Sequence, residues 1–424
     1  MRNYLAVAFL IALFVVPWFA VTYPNQMEAV AVAIADAGNQ LASVFYTHNP
    51  VTVADLRSHY NAAGQLSIPA PTKKVRILLV PGHEPDYGGA EYGDLKERNM
   101  TVELAKDLQQ FLGNNVRYQT IVTRDTQAWS PVFADYFKND WSEIVAWEQA
   151  HKAEIANLTR LGQFRPVNPE IIHNDAPNDV AMRIYGIDKW VNENTIDIVI
   201  HIHFNDYPGH GSVPGQYSGF TIYVPQQEYA NSSTTEVVAD SIFKRLGKYT
   251  AVSNLPGESS GIVEDQDLIA IGAYNSVNAA SMLIEYGYIY EPQFINPDTR
   301  GAAIKDLAFQ TYLGLQDFFD PNNAVNVAGS YDTLLVPHTW LAPFTSSNAS
   351  PGDVLALQTA LVMDGDYPPA DKTKNDCPRT GTLGPCTKRA LNAFQSKYGI
   401  TGETDMVGQK TINVLQKMYA AKVN

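Results

Sequence analysis

A small set of residues in this chain has the types and spacing that metal-assisted hydrolysis requires. His83 follows an apolar run at the turn "VPGHE", and Glu97 opens a helical pattern in "GDLKERN". "HIHFND" supplies His201 and His203, and Glu285 ends the apolar stretch "SMLIEYG". A hydrolytic metal centre needs a few neutral imidazoles or carboxylates on rigid elements, an open position for water, and a separate acid/base group within hydrogen-bond reach. Alternate residues of a strand face the same way, so His201 and His203 project from one side. A carboxylate at the end of an apolar strand is costly unless it meets a cation or moves a proton, which singles out Glu285. The glycine before His83 is expected to let the chain bend sharply and aim that imidazole inward. Each residue also has an ordinary use, as a turn histidine, a helix-start carboxylate or a strand-end acid reaching water. Their joint order on successive strand ends is what points to a site.

The elements that must hold these residues alternate. "VRILLV", "VRYQTIVT", "IDIVIHIHFN", "FTIYVP" and "ASMLIEYGYI" are strand-like, and between them lie helical patterns such as "MTVELAKDLQQFLG", "NDVAMRIYGIDKWVNEN" and "TTEVVADSIFKRLGKYT". This order predicts an α/β fold with a mixed, mainly parallel sheet flanked by helices, its reactive groups at the carboxyl ends of strands. Between Thr126 and Asn178 the alternation gives way to an aromatic, charged, partly helical stretch, read as an insertion: either a lid or regulatory element over the cleft, or surface decoration. A bridge rich in Ser, Pro and Asn then leads to three short helical patterns, which make a small three-helix C-terminal domain. The domain plan is a targeting segment at 1–24, a helical segment and linker at 25–73, a sheet domain at 74–323 with the insertion at 126–178, a linker at 324–350 and the C-terminal domain at 351–424.

The chain has 424 residues, 45% of them hydrophobic, which is enough for roughly two or three domains with their own cores. Its 30 basic and 44 acidic residues give a formal charge of -14. Without a Lys/Arg stripe to track phosphates, nucleic acid is excluded as an expected partner. The start, "MRNYLAVAFLIALFVVPWFAVTYP", has one early Arg2 and a long apolar run, on the border between a cleaved secretory signal and a membrane anchor. Either alternative exports the remainder. The two cysteines, Cys377 and Cys386, lie close together in "NDCPRTGTLGPCTK". A local disulfide is the sharper expectation in an oxidising compartment, with two unpaired thiols the alternative.

At the chemistry-bearing residues the sequence resembles the zinc-dependent N-acetylmuramoyl-L-alanine amidases, which cut the lactyl-amide bond between muramic acid and the stem peptide of the bacterial cell wall. "VPGH", "GGA" and "GDLKERN" match that family's first strand, turn and helix start. "TRDT" resembles the Thr-Arg after its second strand, "VIHIHFND" its Ser-x-His-x-Asn strand, and "MLIEYGYI" the strand with its catalytic glutamate. The resemblance runs from Lys74 to Phe319 and implies a phosphorylase/hydrolase-like fold. It further implies a Zn2+ cofactor held by His83, Glu97 and His203, with Glu285 as acid/base. His203 is preferred to His201 because Asn205 follows it at the family's offset, and Arg183 in "AMRIYG" matches a helix where a structural role is expected. Two departures bear on the cleft: Glu84 and Pro85 replace the usual glycines after the first histidine, and His201 stands where a small residue is common.

Residues Pro351 to Met418 resemble a small peptidoglycan-binding domain, through "DVLALQTAL", "GTLGPCTKRALNAFQSKYGI" and "TGETDMVGQKTINVLQ". Val354, Leu357, Leu361, Ala390, Phe394, Ile412 and Leu415 fall at helical spacing and read as its core. A disulfide would close the loop between its first two helices. Together the two resemblances imply peptidoglycan as partner and a place in the cell envelope or outside the cell, and they leave room for a regulatory or activator protein. Two alternatives stay open: another zinc-dependent cell-wall peptidase or deacetylase, and a non-catalytic peptidoglycan-binding scaffold.

Overall fold

The computed structural model describes residues 49–64, 73–173, 175–207, 211–321 and 331–419. The targeting segment at 1–24 and much of the stretch at 25–73 lie outside the described residues. Six strands form the main sheet: β1 (Val75–Pro81), β4 (Tyr118–Val122), β5 (Ile198–Asn205), β6 (Thr221–Pro225), β7 (Ile262–Asp265) and β8 (Ala280–Tyr288). Two short strands, β2 (Glu91–Tyr92) and β3 (Leu95–Lys96), pair as a separate hairpin. The sheet order is β4-β1-β5-β8-β6-β7. β4, β1, β5 and β8 run parallel, while β6 is antiparallel to β8 and parallel to β7. A mixed, mainly parallel sheet with flanking helices is therefore present.

The central strands read as nearly continuous apolar runs because both their faces are covered. On one face, Ile77, Leu79, Ile200, Ile202, Met282 and Ile284 pack against α2 (Glu97–Gly113), α6 (Ser232–Tyr249) and α8 (Pro297–Phe319), with α1 (Val53–Ala63) at the margin. The other face carries Leu78, Val80 and Val199. They pack on α3 (Pro131–Asn139), α4 (Trp141–Arg160) and α5 (Asn178–Glu193) through Phe133, Phe137, Ile144, Trp147 and Trp190. Two of those helices, α3 and α4, come from the stretch at 126–178, so that stretch fills the second core layer with its own aromatic residues.

α8 has no counterpart among the expected helices. It begins behind Asn296, whose side chain accepts from Asp298 N–H, with Pro297 at its first position, a favourable start in both respects. The helix is buried nearly all round, with Asp306, Gln310 and Gln316 among its buried side chains, so it lacks a clean apolar stripe. A four-residue helix, α7 (Pro292–Ile295), precedes it.

The C-terminal region has its own core, in which α9 (Pro351–Asp364), α10 (Pro385–Lys397) and α11 (Gln409–Tyr419) bury Val354, Leu357, Leu361, Ala390, Phe394, Ile412 and Leu415. Val336, Trp340 and Phe344, from the stretch read as a linker, are buried in the same core. Cys377 and Cys386 form a disulfide across the loop between α9 and α10. Arg379, also in that loop, donates to Tyr249 O at 2.9 Å and to Thr359 Oγ1 at 2.7 Å, which fastens the region to the end of α6. No described helix is long and apolar enough to cross a membrane.

Candidate active site

The carboxyl ends of β1, β5 and β8 meet at one place. β1 stops at Pro81, and Gly82 N–H donates to Ile202 O at 2.9 Å, which holds the following turn against β5. Arg124, buried just beyond β4, clamps the turn from behind. It donates to Pro81 O at 3.2 Å, to Gly82 O, to Arg98 O at 3.1 Å and to Thr101 Oγ1 at 3.3 Å. The bend expected at Gly82 lies instead at His83, whose φ is +68°, a left-handed value uncommon for a residue with a side chain. What Gly82 supplies is room: a Cβ there would stand 2.3 Å from Cε1 of the His203 ring.

Glu97 is delivered by the β2–β3 hairpin, which runs directly into α2. Its Oε2 accepts from Ala90 N–H at 2.8 Å and its Oε1 from Phe204 N–H at 3.1 Å, so the carboxylate bridges the hairpin to β5. Oε1 also lies 3.1 Å from His203 Nδ1 and 2.8 Å from His83 Nε2. The His83 nitrogen is not aligned for a hydrogen bond and has no other partner. Gly89, at φ +81°, lets the loop pass close beneath: a Cβ there would come within 2.7 Å of His83 Cδ2.

His83, Glu97 and His203 thus converge, each with one ligand-type atom within 4.8 Å of the others. Among the described residues no other group of His, Cys, Asp or Glu meets that arrangement. His201 stays outside it. It is buried among strand neighbours with Nε2 lacking a hydrogen-bond partner, and burial followed by the nearby His203 holds its pKa down to about 3.

Glu285 lies beside His203, its direct partner in the β5–β8 register, and its Oε2 has no hydrogen-bond partner. Burial, and then the charges of Glu97 and Glu258, push its carboxyl well above the ordinary carboxylate range. Glu97 moves the opposite way: burial opposes its ionisation, yet His83 and His203 outweigh that and hold it well below the ordinary range. Burial keeps His203 below its ordinary value despite its contact with Glu97.

Sequence reasoning did not single out Glu258. Its buried carboxylate accepts from Asn205 Nδ2 at 2.8 Å, Tyr223 OH at 2.7 Å, Tyr288 OH at 3.1 Å and Ser253 Oγ, so it pins the end of β5, where the register shifts by a bulge, to β6 and β8. Nothing in "PGESSG" announces this, because the partners come from four separate elements. Arg183 is not one of the three converging residues and pairs with Glu84 at 2.8 Å.

Two imidazoles and one carboxylate, with an unmatched imidazole nitrogen between them, form a donor set suited to zinc and to other borderline divalent cations. The fold and this donor set place the protein among α/β proteins with a candidate metal site at the strand ends. Residues 77–311, more than half of the chain, match the N-acetylmuramoyl-L-alanine amidase family, and the chain belongs to it. It is a member of a family of peptidoglycan amidases.

Similar solved structures include the CwlD amidase of Clostridioides difficile in complex with the GerS lipoprotein, at 13% identity and TM-score 0.39, covering 59% of this chain and 100% of that one. Ami1 of Mycobacterium smegmatis has the same identity, score and coverage. AmiC2 of Nostoc punctiforme is 14% identical, with TM-score 0.32 and coverage of 57% and 96%. No curated protein matches the chain.

Proposed function

We propose that this chain is a zinc-dependent N-acetylmuramoyl-L-alanine amidase that cleaves the amide bond between N-acetylmuramic acid and L-alanine of the peptidoglycan stem peptide. What supports the reading is the convergence of His83, Glu97 and His203 beside Glu285, inside the segment that matches the amidase family. His83, Glu97 and His203 would hold the metal. When bound, zinc supplies Lewis-acid polarisation of the scissile carbonyl and acidifies water.

Glu285 takes the proton of the attacking water and delivers it to the leaving nitrogen of L-alanine. The two carboxylates have different work because their surroundings differ. Paired with imidazoles, Glu97 stays ionised; in a drier place facing other carboxylates, Glu285 has the raised proton affinity that suits a group able to give a proton back. The products are a lactyl carboxylate on the glycan and a stem peptide with a free amino terminus.

Within this proposal, 74–323 is the catalytic domain and 351–424 a peptidoglycan-binding domain that raises the local concentration of substrate without entering the chemistry. The segment at 1–24, as signal or anchor, would take the protein to the cell envelope or outside the cell. A regulatory or activator protein would be a further partner.

Digestion of purified peptidoglycan with added zinc, by the wild type and by Glu285→Gln, followed by mass analysis, tests the proposal. Intact stem peptides and lactyl-ended glycans released by the wild type alone are the expected result. New carboxyl termini inside the peptides would move the assignment to a peptidase, and lost acetyl groups to a deacetylase. Binding without release would leave a scaffold.

A further inference from the structure

The residue after His83 departs from the family's glycine and is neither exposed nor idle. Glu84 is 6% exposed and accepts from Arg183 Nε at 2.8 Å and from Trp129 Nε1 at 3.1 Å. Arg183 stands on α5, where it also pairs with Asp179 one turn away. Trp129 arrives by a tight turn after β4. Asp125 Oδ1 accepts from Gln127 N–H at 2.7 Å and Ala128 N–H at 2.9 Å, and the chain returns so that Arg124 and Trp129 bridge as antiparallel neighbours. The Trp129 ring is fixed edge-on against Phe137 of α3, with centroids 5.1 Å apart. Pro85, itself buried, keeps Glu84 out of helical backbone conformations.

His83, immediately before this clamp, sits at φ +68°. A left-handed backbone on a residue with a side chain persists only where the surroundings over-determine it. Arg124 holds the turn on its N-terminal side through Pro81 O and Gly82 O, and Glu84 is the group that holds it on the other. We propose that Glu84 is a positioning residue for the metal site: clamped by Arg183 and Trp129, it keeps His83 in the conformation that aims its imidazole at Glu97 and His203. The proposal rests on the reading of His83 as a zinc ligand. It also gives the insertion a role, since Trp129 belongs to the stretch at 126–178 and ties that stretch to the ligand-bearing turn.

The test measures zinc affinity of the full chain, stripped of metal and titrated in competition with a chromophoric chelator, alongside its metal-free thermal midpoint. Glu84→Ala is expected to bind zinc about tenfold to a hundredfold more weakly than the wild type, the usual cost of losing a group that orients a ligand. Glu84→Gln should fall between the two. Trp129→Phe keeps an aromatic ring to face Phe137 while removing the indole N–H together with one of its two fused rings. About a fivefold loss is expected from the one hydrogen bond, the metal-free midpoint reports the lost packing, and this variant carries the test if Glu84→Ala does not fold. A merely structural clamp would lower the metal-free midpoint and leave the affinity of the folded variants at the wild-type value, which overturns the proposal. A wild type that takes up no zinc overturns the metal reading itself, and the proposal with it.

Discussion

Gly82→Ala places a methyl group between the first turn and β5, at the closest approach in the site. The added Cβ would stand 2.3 Å from Cε1, 2.5 Å from Nε2 and 2.6 Å from Nδ1 of His203. Ordinary contact begins near 3.4 Å, so the imidazole must withdraw by about 1.1 Å or the turn must lift from β5. Retreat is confined, because His203 lies against Glu97 on one side and pairs with the Glu285 strand on the other. Gly82 does not have a positive φ, so alanine is conformationally acceptable there and the effect isolates the clash. Misplacing a reacting group by this distance costs on the order of 100-fold in rate, and overpacking adds about 1–3 kcal/mol of destabilisation. The assay is release of stem peptides from peptidoglycan at saturating zinc, with zinc affinity measured in parallel. Gly113→Ala serves as the control, since a Cβ there meets nothing within 4 Å at the end of α2. Wild-type affinity and rate in Gly82→Ala would refute the reasoning, because they would mean that the position of the His203 ring does not matter.

Three other outcomes follow from groups outside the His83, Glu97 and His203 cluster. Asp188 is buried on α5 with Ser276 Oγ at 3.3 Å, and burial raises its pKa well above 3.8. A carboxyl with a raised folded pKa costs nothing below its unfolded value and destabilises as pH climbs from there through the folded one. Asp188→Asn should therefore raise the thermal midpoint more at pH 7 than at pH 4; equal shifts would contradict the assignment. Glu258→Gln turns one acceptor into a donor facing Asn205, Tyr223, Tyr288 or Ser253, at a cost of about 1–3 kcal/mol, and should lower kcat for stem-peptide release. An unchanged kcat would show that the end of β5 tolerates a loose anchor. Cys386→Ser opens the loop between α9 and α10 and should destabilise the C-terminal core by about 2–3 kcal/mol in denaturant unfolding, with no further loss on adding reductant. Continued sensitivity to reductant in the variant would overturn that account.

The parallel strands were legible because a strand covered on both faces must be apolar throughout, and "VRILLV" and "IDIVIHIHFN" are nearly so. β7 escaped notice because it is an edge strand of four residues with alternating burial, too short for its pattern to stand out from a loop. α8 was missed for the opposite reason. Its surroundings bury Asp306 and Gln310 as completely as its leucines, and each finds a partner there: Asp306 accepts from Thr333 Oγ1 and Leu334 N–H, and Gln310 donates to Asp332 O. Tertiary partners of that kind erase the polar face on which a helical periodicity depends. The segment at 126–178 looked like an excursion because its aromatic residues follow no sheet pattern, yet Phe133, Phe137 and Trp147 supply the layer that covers β1 and β5 on one side.

In the site, what could be read was residue types set in short local motifs that follow one another in order along the chain; what could not be read was chemistry made by contact. Glu97 opens α2 and His83 follows the end of β1, while His203 and Glu285 lie inside the last halves of β5 and β8; Glu285 does not end its strand, which runs on to Tyr288. The sharp bend was assigned to Gly82 because glycine is the residue that bends most freely, but the strain sits on His83. The glycine is needed for the space its missing side chain leaves beside His203. A backbone conformation that costs energy is held by other groups, and those are Arg124 behind the turn and Glu84 after it, gripped in turn by Arg183 and Trp129. No spacing rule connects these four residues, since Glu84 and Arg183 lie 99 positions apart. In the proposed site, the placing of the candidate ligand His83 therefore depends on a clamp whose parts look, one by one, like an ordinary turn acid, a helix-surface arginine and the first tryptophan of an insertion.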